Sequence, residues 1–223
     1  MGRKVSLFIG IAAFVSLSAS ASLVTYDFTA LVGAVDPLLT PGGTFFVGEN
    51  VSGSFSIDTS VPDTSIFPNE GRYAGGLSTL NATIGSYGAT AVSGIAFVLN
   101  DFNDSGEFFD QFSTNNGILP LAGANVNGLI LFDLGLFLQD LTMTAFASTS
   151  LSNANMLILS DFAVRQFSLE FIDPSNVLGP PSPLVADLTS LELSNVSNGV
   201  PEPATLALLG LGLAGLGLSR RKQ

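Results

Sequence analysis

The sequence predicts an all-β fold, an antiparallel β-sandwich of jelly-roll or immunoglobulin-like type, flanked by two short apolar ends. Three observations carry this prediction. Apolar and polar residues alternate with period two in many short runs, clusters of Gly, Asn, Asp, Ser and Pro separate those runs, and no stretch between the ends has helical periodicity. The 223 residues suit one domain with short appendages. The chain has no cysteine, histidine or tryptophan, which excludes disulfides, thiolate or imidazole zinc sites and every Ser-His or Cys-His dyad. With seven Lys and Arg and a formal net charge of -11, nucleic acid is not a partner. A mean hydropathy of +0.51 with only 11% charged residues points to membrane-seeking segments.

The first element is an export address. Arg3 and Lys4 give a cationic start, Val5 to Leu17 an apolar run, and Ala19-Ser20-Ala21 a site of small residues. Residues 1–21 therefore read as a signal peptide, cut by signal peptidase between Ala21 and Ser22. The apolar run is short for a membrane span of about 20 residues.

Residues 22–199 form the exported body. In Val51 to Asp58, Val51, Phe55 and Ile57 share one face while Ser52, Ser54, Ser56 and Asp58 share the other, the mark of a half-buried strand. Gln166 to Phe171 repeats the scheme. Further strands are expected around Thr25 to Val32, Leu77 to Ile84, Ser93 to Leu99, Glu107 to Ser113, Leu129 to Leu138, Met156 to Phe162 and Leu188 to Val196. Asp36-Pro37, Pro41-Gly42-Gly43, Asn115-Asn116-Gly117 and the proline-rich Pro174 to Pro183 mark turns between them. A wide open sheet would leave one apolar face wet, so a second sheet is expected to cover it.

The last element, residues 200–223, is a second address. Pro201-Glu202-Pro203 is stiff and extended. Ala204 to Leu218 carries no charge, and Arg220, Arg221 and Lys222 close the chain. As a helix the apolar run would reach about 22 Å, less than a hydrocarbon core about 30 Å thick, so it makes a short transmembrane helix and a weak permanent anchor. The basic cluster favours the cytoplasmic side, which leaves the chain held transiently in the inner membrane. Gly210 to Gly215 satisfies G-x-G-x-x-G, but no acidic residue follows about 20 positions on, and a dinucleotide site is rejected.

Val200 to Thr205, the Gly/Ala/Leu segment and the terminal Arg-Arg-Lys together resemble the PEP-CTERM sorting signal of Gram-negative bacteria. That resemblance implies an exosortase as processing partner, with Pro201, Glu202, Pro203, Arg220, Arg221 and Lys222 as the signal it reads. The run from Tyr26-Asp27-Phe28-Thr29 through Gly48 to Thr59, followed by Gly71-Arg72-Tyr73, is similar to the opening of other exported proteins with this signal. The association of the family with exopolysaccharide producers implies a place at the cell surface, in the outer envelope or in an extracellular polysaccharide matrix or biofilm.

The body itself offers little catalytic chemistry. Asp101, Asn103 and Ser105 followed by Gly106 imitate the first half of a calcium loop, yet position twelve is Phe112 where a bidentate Glu belongs. An exposed acidic loop is the plainer reading. Calcium through Asp101, Asn103, Asp104 and Glu107 is the alternative, in a calcium-dependent carbohydrate-binding module whose sugar face would be Tyr26, Tyr73 and Tyr87. Glycoside hydrolysis needs only two carboxylates, but 17 of the 18 acids lie in the body, so some pair is inevitable. We expect no enzyme and no cofactor. With only Arg72 and Arg165 as cations, the body has a net charge of -15, which favours solubility and repels anionic polymers.

Overall fold

Alternation along the chain produces nine antiparallel strands: β1 (Ser22–Val35), β2 (Asn50–Asp58), β3 (Glu70–Ile84), β4 (Tyr87–Asp104), β5 (Glu107–Asn115), β6 (Leu121–Gly123), β7 (Ile130–Asp140), β8 (Val164–Ile172) and β9 (Ser182–Asn198). They belong to a computed structural model that describes residues 22–115 and 121–198. Each long strand pairs with the next along the chain, and β9 returns to pair with β1. Eight strands thus close into an up-and-down barrel, with the short β6 beside β4.

The expected sandwich is corrected to a barrel. Period-two alternation reports that one face is buried, and a sheet curled on itself buries that face as completely as a second sheet would. Bulges supply the curl. Register shifts interrupt β1–β9 at three places and also occur in β2–β3, β3–β4, β4–β5 and β7–β8, and each bends its strand and increases the local twist.

Side chains fill the interior, as an eight-stranded barrel requires. Val24, Tyr26, Phe28, Ala30 and Val32 of β1 all point inward, as do Phe167, Leu169 and Phe171 of β8. Phe28, Phe55, Phe112 and Phe167 form a chain of rings with centroids 5.4 to 6.4 Å apart. Gly53 sits opposite Phe28, and a Cβ there would collide with that ring and with the Asn81 carbonyl. Each large side chain buried in this way stabilises by roughly 1.5–3 kcal/mol. Outward positions such as Asp27, Thr29, Ser52, Asn81 and Thr83 are exposed and polar. The apolar, filled interior is the reverse of the polar lumen of a membrane barrel.

Both mouths are stoppered. Residues 141–163 fold over the mouth that holds Ser22 and Asn198, burying Phe146, Leu151, Ala154, Leu157 and Phe162. Met156 to Phe162, expected as a strand, belongs to this stopper, where 3-10 turns run through Leu151–Met156 and Leu159–Asp161. Leu39, Phe45 and Val126 fill the other mouth, with Phe45 edge-on to Tyr87 at 5.1 Å.

The expected tyrosine face is also corrected. Tyr26, Tyr73 and Tyr87 are 1%, 5% and 6% exposed, and their hydroxyls pin the stoppers. Leu157 N donates to Tyr26 Oη at 2.9 Å, Tyr73 Oη donates to the Thr149 carbonyl at 2.7 Å, and Tyr87 Oη donates to the Ala124 carbonyl at 3.1 Å. Burial pushes all three phenols up, Tyr87 to about 12. Among the described residues no helix is long and apolar enough to cross a membrane; the sorting helix expected over 204–218 lies outside them.

Candidate functional site

The two addresses attach side by side. Ser22, the residue expected to follow signal-peptide cleavage, opens β1, and its Cα partner across the ladder is Asn198, the last residue of β9. Ala19 and Ala21 before it, and Pro201, Glu202, Pro203, Arg220, Arg221 and Lys222 beyond Asn198, lie outside the described residues. Two residues separate Asn198 from Pro201, so the Pro-Glu-Pro segment begins within about 11 Å of chain from the end of β9.

The proposed calcium loop is a tight hairpin. β4 runs to Asp104 and β5 starts at Glu107, which leaves a two-residue turn of Ser105 (φ 55°) and Gly106 (φ 98°), the positive-φ pair that matches strand twist. Asn103 Oδ1 accepts from Gly106 N at 2.9 Å, so turn geometry uses the oxygen that a cation would need. Asp101, at φ 49°, forms a bulge between Leu99 and Phe102, and its N–H donates to Asp110 Oδ1 at 2.9 Å. Asp101, Asn103, Asp104 and Glu107 are all exposed. Among the described residues no three acidic side chains gather as a metal site would need.

Sequence reasoning missed two buried carboxylates. Asp110 and Asp140 are Cα partners on β5 and β7, and they are 0% and 2% exposed. Asp110 Oδ2 accepts from Phe146 N at 2.8 Å. Asp140 accepts from Thr142 N and Thr144 N, each at 2.8 Å, from Ala145 N at 3.1 Å, and from the hydroxyls of Thr142 and Thr144. Burial works to raise the Asp140 carboxyl, but these hydrogen bonds outweigh it and hold the group down at about 2. Both carboxylates are buried, and through Phe146, Thr142, Thr144 and Ala145 they tie the stopper to the wall. The signal was legible: Asp110 is in phase with Phe112, and Asp140 with Leu134, Leu136 and Leu138.

Open concave surface lies beside the hairpin. One groove of about 340 Å³ is lined by Phe67, Pro68, Asn69, Glu70, Phe102 and Asn103. A second of about 280 Å³ is lined by Glu70, Phe97, Leu99, Phe102, Gln111 and Ser113. Glu70 and Phe102 line both, so the two adjoin on the outside of β3, β4 and β5. The bulge at Asp101 turns Phe102 outward, where it packs on Phe109 with ring centroids 5.7 Å apart.

The chain is thus a solid, side-chain-filled barrel followed directly in sequence by a sorting tail. The family described as the PEP-CTERM protein-sorting motif matches residues 199–222. The tail is thus a PEP-CTERM motif, and the chain is an exported, exosortase-sorted protein directed to the cell surface. No curated protein and no solved structure matches the chain.

Proposed function

We propose that the protein is a non-enzymatic component of the cell surface or extracellular matrix: a barrel carried across the inner membrane, stalled there by its tail and processed by the exosortase. The PEP-CTERM motif starting at residue 199, directly after β9, carries this reading. Signal peptidase frees Ser22 and the tail halts in the bilayer. Pro201-Glu202-Pro203 then presents an extended backbone to the partner enzyme, which supplies the nucleophile. The body acts by binding and without a cofactor, a reading supported by the buried Asp110 and Asp140 pair and by the hairpin turn that occupies Asn103.

Intact mass of the protein collected from outside the producing cell tests the processing. The expected mass lacks residues 1–21 and the apolar, basic tail. A mass that retains Leu206 to Gln223 would overturn it.

A further inference from the structure

The two adjoining grooves have a floor of hydrocarbon and a fringe of mixed polarity. Phe67, Phe97 and Phe102 form the floor. Around it, each amide is held by one hydrogen bond and keeps another group to offer. Asn69 Nδ2 donates to the Asp101 carbonyl at 2.9 Å, which leaves Oδ1 as an acceptor. Asn103 accepts from Gly106 N through Oδ1, which leaves its NH2 as a donor. Gln111 Nε2 donates to Ser113 Oγ at 3.0 Å, which leaves the Gln111 carbonyl oxygen and the Ser113 hydroxyl proton. Glu70 adds a carboxylate shared by both grooves.

We propose that these grooves form one binding site for a neutral glycan chain, with the C–H faces of its sugar rings on Phe67, Phe97 and Phe102 and its hydroxyls on Asn69, Glu70, Asn103, Gln111 and Ser113. A hydroxyl both donates and accepts, which suits a fringe that alternates donors with acceptors. An ammonium ligand has nothing to offer the Asn103 NH2. An anionic polymer meets Glu70, no cation among the lining residues and a body of net charge -15. The floor and fringe are pre-oriented, Phe102 by Phe109 and the amides by their internal bonds, so little ordering cost opposes binding. A volume of about 340 Å³ is in the range of small-ligand pockets, and the second groove extends the site along the wall.

The proposal rests on the exported protein meeting extracellular polymer. Its failure is distinguishable from failure of tail processing, because mass reads the tail and glycan binding reads the groove. The test is affinity electrophoresis of the exported protein through native gels containing dextran, a soluble β-glucan or a galactomannan, all with EDTA present. At least one neutral polymer is expected to retard the chain, and Phe67→Ala with Phe102→Ala to weaken that retardation by roughly tenfold. Phe67 is 60% exposed and Asn103 is exposed, so Phe67→Ala alone and Asn103→Ala keep the fold and are each expected to weaken binding by a smaller factor. Absence of retardation in every neutral gel overturns the proposal. So does retardation unchanged in the variants, or retardation confined to gels of alginate or soluble chitosan.

Discussion

Single carboxylates in this wall have opposite effects on stability. Asp140 receives five hydrogen bonds, and its Ala variant leaves the N–H groups of Thr142 and Thr144 without that partner. We expect Asp140→Ala to lower stability by about 2–3 kcal/mol in urea unfolding at pH 7. Because the folded carboxyl is depressed from 3.8 to about 2, its contribution is fully present above pH 3.8 and is lost as pH falls towards 2. The penalty of the variant should shrink over that window. Glu170 is the reverse case. Burial and the Asp133 charge across the β7–β8 ladder raise its carboxyl above 4.5, so stability is lost as pH rises from 4.5 through the folded value. Glu170→Gln should therefore melt higher than the parent at pH 7, with the gain vanishing below pH 4.5. A gain that persists in acid would show that the charge is not its cause.

At the scale of elements, the strands were legible and their closure was not. Val51, Phe55 and Ile57 announced β2, and Gln166 to Phe171 announced β8, because side-chain parity is a local property. Whether parity faces a second sheet or the opposite wall of one curled sheet depends on bulges such as those at Thr25/Tyr26 and Asp101, which leave no periodic trace. Met156 to Phe162 read as a strand from composition, yet it lacks a neighbouring strand to pair with and turns into the mouth instead. Tyrosine as a residue type suits a sugar face, and that alone suggests one at Tyr26, Tyr73 and Tyr87. Their phase with Phe28, Leu77 and Ala89 could have placed them inside. The groove was the least legible part, since Phe67, Phe97 and Gln111 come from three separate segments. The seam offers a direct test of closure. Asp27 and Glu192 face each other across β1 and β9, at a spacing compatible with a disulfide, and the chain has no other cysteine to compete. Oxidised Asp27→Cys with Glu192→Cys should gain roughly 2–5 kcal/mol over its reduced form. Failure to cross-link would contradict the β1–β9 register.

The whole molecule is an acidic barrel whose charge and hydropathy belong to different pieces: five of its seven cations lie in the two addresses, while the body holds 17 of the 18 acids. Sequence alone identified the sorting address, because such signals are read as short linear strings by other proteins and need no fold to be recognised. The pairing of Ser22 with Asn198 ties those addresses to the timetable of folding. The first strand pairs with the last, so the wall stays open, with β1 and β8 as bare edges, until β9 is in place. In the proposed export β9 is thus the last of the body to cross, so the strand that closes the barrel directly precedes the sorting motif.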